Sequence, residues 1–428
     1  MAQELVFFKY IDDPNQHKID TYIEHGGYQA IQKVLKDFKP PDVIAKVKES
    51  GVRGRGGAGF PAGLKWSFVP QNTGKPIYLA CNGDESEPGT CKDRVIMEND
   101  PHMLIEGIMI CCYAINAHHA FIYIRGEFAF PAARVEGAVN EAYAKGYLGK
   151  NIFNSGFDLD VVVHTGGGAY ICGEETALLS SLEGSRGNSR IRPPFPAVSG
   201  LYKCPTVINN VETLSSLPSI FNNGIEWYRS HGTEKSPGTK IFSLSGNVNK
   251  PGNYEVDLGT PLSYVINELG GGMQDGHKLK AIIPGGSSTP LLMPDQIDTP
   301  LDYESMAAAG SMLGSGAIIV IDERCCMVWA LMKLINFYAH ESCGRCTPCR
   351  EGTAWLKQLI NRIENGEGQQ GDIELILDAC DNIIGRTICP LGDAAVMPTR
   401  SFIKHFRDEF EYHIEHKTCK VKTDYPFV

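Results

Sequence analysis

Apolar residues recur at helical spacing at Ile31, Val34, Leu35 and Phe38, which predicts a helix over residues 28–38 that Pro40 and Pro41 end. A second short helix is expected over residues 42–49. It runs into a glycine-dense loop, GVRGRGGAGFPAG. From Lys75 the pattern changes: short apolar runs at 77–82, 120–126 and 158–166 alternate with helical patterns at 101–114, 132–145 and 174–183. Asp100 and Pro101 supply the cap and first turn of the first of these helices. Such alternation predicts an α/β unit with a mostly parallel sheet. The segment PTVINNVET, beginning at Pro205, reads by itself as a turn.

Near Pro237 the character changes again. Strands at 241–246 and 254–258 flank a turn at Lys250, Pro251 and Gly252, followed by a short helix after Thr260 and strands at 281–283 and 317–321. A hairpin, one helix and further strands predict a small α+β unit of ubiquitin-like (β-grasp) type. Beyond Cys325 the pattern is helical to about Ile414, with breaks at Gly344, Gly366, Gly385 and Pro390, as in a four-helix bundle. The expected units are therefore a helical and glycine-rich region (1–74), an α/β domain (75–237), a β-grasp domain (238–324) and a helical bundle (325–428).

Composition narrows the function classes. A chain of 428 residues with 43% hydrophobic and 21% charged residues has material for several folded cores. Its net charge of -10 gives no basic footprint for nucleic acid. Glu106 and Lys333 interrupt the longest apolar stretches, so no membrane span is expected. The opening residues, MAQELVFFKYIDDP, lack a signal-peptide pattern, so the 14 cysteines are expected as thiols or metal ligands.

Cys343, Cys346 and Cys349 form C-x2-C-x2-C, and Cys389 is followed by Pro390. Three thiolates in one turn plus a remote Cys-Pro suit a [4Fe–4S] cluster. Structural zinc more often takes two separated C-x2-C pairs, and zinc or simple burial remain the alternatives. Neither the first 50 residues nor the last 25 carry a second cluster motif. Cys111, Cys112, Cys325 and Cys326 stand in apolar helical surroundings and read as small core residues. His118 and His119 read as surface.

Gly54, Gly56 and Gly59 match G-x-G-x-x-G, but the charged segment AKVKES precedes them where a dinucleotide fingerprint requires a buried strand. What remains is a loop whose backbone can approach a flat ring or a phosphate, with Arg53, Arg55, Lys65, Phe60, Trp66 and Phe68 nearby. Two more loops, NGDESEPGT and GGGAYICGEETALL, follow strands at the ends where α/β sheets bind ligands. Their carboxylates, Asp84, Glu85, Glu87, Glu174 and Glu175, suit hydroxyl or amide donors. Each alone reads equally as a solvated turn or a helix N-terminus. Asn209 and Asn210 can donate and accept at once.

These segments, GRGGAGFPAGLKWSF, CNGDESEPGT, GGGAYICGEETALL, PTVINNVET and SCGRCTPCREG, resemble in sequence and order the NADH-binding flavoprotein subunit of respiratory complex I. The resemblance covers about residues 26–406. It implies a Rossmann-like domain binding FMN and NADH/NAD+ in one cavity, a ubiquitin-like domain, and a bundle carrying the [4Fe–4S] cluster on Cys343, Cys346, Cys349 and Cys389. By motif position, Gly54, Arg55, Gly56, Gly57, Lys65, Asn82, Asp84, Glu85, Ser86, Tyr170, Gly173, Glu174, Asn209, Asn210 and Thr213 resemble the FMN shell. Ala58, Phe60, Phe68, Glu87, Glu175 and Phe195 resemble the nucleotide side.

The same resemblance implies an NADH dehydrogenase activity with no catalytic side chain, because a flavin converts a hydride donor into single electrons. It implies a small [2Fe–2S] subunit (NuoE-type) and a larger iron–sulfur subunit (NuoG-type) as partners. It also places the chain on the cytoplasmic side of the inner membrane, in contact with the membrane only through the complex. The diaphorase subunit of an NAD-linked hydrogenase or formate dehydrogenase shares these motifs and is the alternative. A non-enzymatic scaffold stapled by zinc is the reading from a different class.

Overall fold

The computed structural model describes residues 5–421. Residues 1–4, part of the opening segment read for a signal peptide, and 422–428, part of the stretch read for a second cluster motif, lie outside the described residues.

The first sheet contains β1 (Tyr78–Gly83), β2 (His119–Ile124), β3 (Gly149–Ile152), β4 (Phe157–Thr165) and β5 (Thr206–Asn210), in the order β3-β4-β2-β1-β5. β4, β2, β1 and β5 run parallel, and only the short edge strand β3 is antiparallel. Two expectations change. The segment read as a turn contains β5, whose first four residues are buried. Between β1 and Asp100, where no element is expected, lies a helix, Lys92–Asn99. β5 lies on the far side of β1 from β2, so the strand order reverses there. That reversal opens a crevice at the carboxyl ends of β1 and β5.

The core of this sheet includes Leu79, Ile122, Ile124 and Leu159, together with Ile105, Ile108 and Met109 from the helix Pro101–Ile115. Asp100 caps that helix by accepting from the Met103 amide at 3.1 Å. Glu106, the charge that interrupts its apolar run, is fully buried and accepts from the Tyr22 hydroxyl (2.6 Å) and the Tyr28 and Ile31 amides (2.8 and 3.0 Å). It thereby holds the N-terminus of the helix Gln29–Asp37. Ile31, Val34, Val43 and Val47 join the same core, so the segments before Lys75 pack as part of the sheet unit.

The second sheet has β6 (Thr239–Gly246), β7 (Gly252–Asp257), β8 (Leu279–Ile283) and β9 (Ala317–Asp322), in the order β7-β6-β9-β8. β6 and β7 form the expected antiparallel hairpin, and β6 pairs parallel with β9. Leu262, Val265 and Ile266 from the following helical turns cover Phe242, Leu244 and Val320.

Four helices, Met327–Glu341, Thr347–Glu364, Asp372–Ile383 and Leu391–His416, complete the fold around Leu331, Ile335, Leu356, Ile360, Ile376, Phe402 and Phe410. Among the described residues no helix is long and apolar enough to cross a membrane.

Candidate functional site

At the carboxyl ends of β1 and β5 the register sets Cys81 beside Asn209 and Asn82 beside Asn210. Four segments distant in sequence meet there. The Arg55 amide donates to Thr213 Oγ1 at 2.8 Å, which ties the glycine loop to the turn after β5. A Cβ on Gly56 would lie 3.2 Å from the Asn210 Cβ, so only glycine allows this approach without displacing Asn210. The indole of Trp66 donates to Asn209 Oδ1 at 2.8 Å. Asn82 Nδ2 donates to the Gly173 carbonyl at 2.8 Å and brings in the loop after β4. The Tyr170 hydroxyl donates to Glu87 Oε2 at 2.7 Å.

Several expected ligand groups prove to be occupied by the protein itself. Arg55 is fully buried and its Nη2 donates to the Tyr228 hydroxyl (3.2 Å) and the Pro237 carbonyl (3.0 Å), whereas its Nε and Nη1 have no hydrogen-bond partner among the described residues. Glu85 uses both oxygens to accept from the amides of Lys92, Asp93 and Arg94 at 2.8 to 3.0 Å. It holds the N-terminus of the helix Lys92–Asn99. Glu174 caps the helix Glu175–Leu182 by accepting from the Thr176 and Ala177 amides at 3.0 Å. Glu87 also accepts from the Ser288 amide at 2.8 Å, which joins the crevice to the second sheet unit.

Asp84 differs. Its Oδ1 accepts from Ser86 Oγ at 2.8 Å, but its buried Oδ2 has no protein partner. Burial pushes this carboxyl up to about 7, against the opposing effects of the Ser86 hydroxyl and Arg125. An orphaned buried oxygen indicates a missing donor. Gly57, at φ 139°, has nothing within 4 Å of the position its Cβ would take, so the loop leaves open space at that point. Phe60, Phe68 and Phe195 remain 45%, 53% and 57% exposed. The Phe60 and Phe68 rings lie 6.2 Å apart, so the glycine loop presents a bare aromatic pair.

Beneath the crevice lies a fully buried charge network that sequence reading missed. Lys92 Nζ contacts Asp93 and Glu212 at 2.8 Å, and Lys240 Nζ from β6 contacts Glu212 at 3.1 Å. Burial alone raises the Glu212 carboxyl, but Lys240, Lys92 and Arg55 outweigh it and hold it down at about 2. Asn210 donates to Asp93 at 2.6 Å and accepts from the Glu212 amide at 3.0 Å, so the network fixes the residue that meets Gly56.

The cysteine motif adjoins the same crevice. Cys349 and Cys389 are buried in one apolar cluster with Ile171, Cys172, Ala177 and Leu178, and Cys343 and Cys346 pack against it. Glu341 accepts from the Tyr170 amide at 3.0 Å, and Arg345 donates to the Ser189 carbonyl at 2.7 Å. The loop that lines the crevice is therefore also the wall of the cysteine site. Thiolates around one zinc lie about 3.8 Å apart at metal–sulfur distances of about 2.3 Å. Among the described residues, no three of the motif sulfurs lie within 4.8 Å of one another, which does not match the spacing of a single tetrahedral zinc site.

The family profile for the Nuo51 FMN-binding domain matches residues 47–219, that for the NADH-ubiquinone oxidoreductase-F iron-sulfur binding region matches residues 329–413, and that for the SLBB domain matches residues 241–292. The NADH-quinone oxidoreductase F-subunit of Mycobacterium tuberculosis is 57% identical over 421 residues, 97% of this chain and 94% of that protein. The chain belongs to the NADH-quinone oxidoreductase F-subunit family. The Streptomyces coelicolor member is 56% identical over 408 residues, 95% of this chain and 90% of that one. A solved chain of an NAD+-reducing [NiFe]-hydrogenase, 34% identical, superposes with a TM-score of 0.83 over 96% of this chain but only 67% of its own length.

As a member of this family, the protein has an FMN-binding domain and a 4Fe-4S binding region. Sequence reading missed Lys92, Asp93, Glu212, Lys240 and Arg192. Arg192 Nη1 lies 3.8 Å from Glu175 and its Nη2 3.9 Å from Glu174. Two adjacent acids and an arginine before a proline pair are a charge match that the sequence displays without its geometry. His118 and His119 are exposed, and Cys111 and Cys112 are buried, as expected.

Proposed function

We propose that the crevice at β1 and β5 binds FMN and NADH together and that Cys343, Cys346, Cys349 and Cys389 ligate the [4Fe–4S] cluster. The observation that carries this reading is the shared wall: the segment from Tyr170 to Leu178 borders the crevice on one side and the cysteines on the other. When bound, FMN supplies the exchange between a hydride from NADH and the single electrons that a cluster accepts.

The chain's own residues orient and insulate. Backbone amides of Gly56, Gly57 and Ala58 offer donors at an open concavity, and Asp84 Oδ2 offers an acceptor for a hydroxyl or ring amide. Phe60, Phe68 and Phe195 supply faces for the nicotinamide nucleotide. Burial pushes the Cys349 thiol up to about 12 despite the Ser342 hydroxyl at 3.2 Å, so Cys349 would hold iron as a thiolate only once bound metal offset that burial.

With one cluster motif and no membrane-crossing helix among the described residues, the protein passes electrons to other subunits. We assign these as a small [2Fe–2S] subunit (NuoE-type) and a larger iron–sulfur subunit (NuoG-type), in a peripheral arm on the cytoplasmic side of the inner membrane. The unit boundaries at 237/238 and 324/325 belong to the same proposal, whereas the segments before Lys75 share the core of the first sheet unit. The purified protein, with the small partner if solubility needs it, should reduce ferricyanide from NADH and should not reduce quinone at a comparable rate. Rapid, inhibitor-sensitive quinone reduction by the isolated protein would overturn the placement.

A further inference from the structure

A second potential ligand set in the helical unit is unrelated to the cluster motif. Cys326, His413 and Cys419 bring two sulfurs and a ring nitrogen within 4.8 Å of one another. Cys326 caps the first bundle helix, His413 lies in the last turn of the fourth, and Cys419 follows it in the tail. Cys326 Sγ is 3.5 Å from His413 Nε2 and 3.9 Å from Glu364 Oε2, and His413 Nε2 is 3.5 Å from that same oxygen.

With metal–sulfur bonds of about 2.3 Å and metal–nitrogen and metal–oxygen bonds of about 2.0–2.1 Å, tetrahedral angles place sulfur and nitrogen about 3.5 Å apart and nitrogen and oxygen about 3.3 Å apart. Cys326, His413 and Glu364, from separate elements, already stand near those spacings, and Cys419 Sγ lies within 4.8 Å of the first two. The histidine is also prepared as a ligand: its Nδ1 lies 2.7 Å from the Glu409 carbonyl, which fixes Nδ1 as the protonated nitrogen and leaves the Nε2 lone pair toward the sulfur. Cys326 and His413 are buried, so a bare pair of thiols and an imidazole would gain little from water.

We propose that Cys326, His413, Cys419 and Glu364 bind one thiophilic divalent cation of the zinc class, separate from the iron–sulfur cysteines. Binding breaks two S–H bonds, forms two metal–sulfur bonds and releases both protons to solvent, with no change of oxidation state. The Cys419 thiol, which donates to the Val421 carbonyl at 2.8 Å, gives up that contact. The ion would pin the tail after the fourth helix to the start of the first and so close the bundle.

The test is elemental analysis and zinc K-edge absorption on the full holoprotein. About one zinc per chain, with mixed sulfur and nitrogen or oxygen neighbours at about 2.3 and 2.0 Å, is expected. Cys419→Ser and His413→Gln should each lose that zinc while keeping four irons and the reduced-cluster EPR signal. An absence of zinc after growth and purification in zinc-containing buffer would overturn the proposal. So would a Cys326–Cys419 disulfide in the mapped holoprotein, or zinc that persists in both variants. The wild-type spectrum decides even if a variant fails to fold.

Discussion

Lys65 forms an ion pair with Glu175 and also donates to the Ile208 carbonyl at 2.8 Å, so the glycine loop, β5 and the helix after the second ligand loop meet at one ammonium. Glu175 is thus a charge balanced on one side by Lys65 and approached by Arg192 on the other. Its side chain is 31% exposed, so its field at a bound nucleotide is screened. Glu175→Gln should still remove repulsion against a 2′-phosphate and leave Lys65 free to attract one. The NADH/NADPH ratio of kcat/KM should fall by about tenfold, corresponding to about 1.4 kcal/mol. Steady-state kinetics at fixed ionic strength measure it, and an unmoved ratio means that Glu175 does not face the 2′ position of the nucleotide.

The cluster assignment predicts a clean division among the cysteines. Cys389→Ser should lower iron content and abolish the reduced-cluster EPR signal, whereas Cys111→Ser, deep in the core of the first sheet unit, should leave both intact. Four irons per chain retained in Cys389→Ser would remove that residue from the ligand set.

Glu212 carries the largest predicted stability effect. It is fully buried between Lys92 and Lys240, so Glu212→Gln removes the carboxylate that Lys240 pairs with and leaves Lys92 with Asp93 alone, and should cost about 3–5 kcal/mol in denaturant unfolding. Because its folded carboxyl is depressed to about 2 from 4.5, the contribution is complete above pH 4.5. It is lost as pH falls from 4.5 toward 2. The difference between wild type and variant should therefore shrink over that window, and a difference that stays constant to pH 3 would show that ionisation is not its source.

Asp84 should make flavin affinity pH-dependent. If FMN donates a hydrogen bond to Oδ2, binding favours the ionised carboxylate and expels a proton from a group that titrates at about 7. Affinity for FMN should then rise with pH up to about 7 and level off above it. Asp84→Asn should be flat across that range. Fluorescence titration of flavin-depleted protein reads this directly, and a wild-type curve as flat as the variant's would deny Asp84 contact with the flavin.

Local features carried the parts of this molecule that depend on short-range physics. The alternation of apolar runs and helical periods gave away the parallel sheet, because buried strands and amphipathic helices impose different periods on adjacent residues. Glycine at 56, 57 and 59 and the spacing of Cys343, Cys346 and Cys349 likewise announced a close backbone approach and a cluster. The tertiary structure alone decided which polar groups are free. Glu85, Glu87 and Glu174 looked like ligands, but each accepts from amides or hydroxyls of the folded chain, in one case on a segment 201 positions away. Asp84 has the same side-chain chemistry as its neighbours and keeps an unpaired oxygen. β5 was hidden because five residues ending in two asparagines carry no period, and only pairing with β1 makes them a strand. Lys240 and Glu212, and likewise Cys326, His413 and Cys419, meet only when separate elements pack. Their chemistry lies in distances through space that no spacing along the chain encodes.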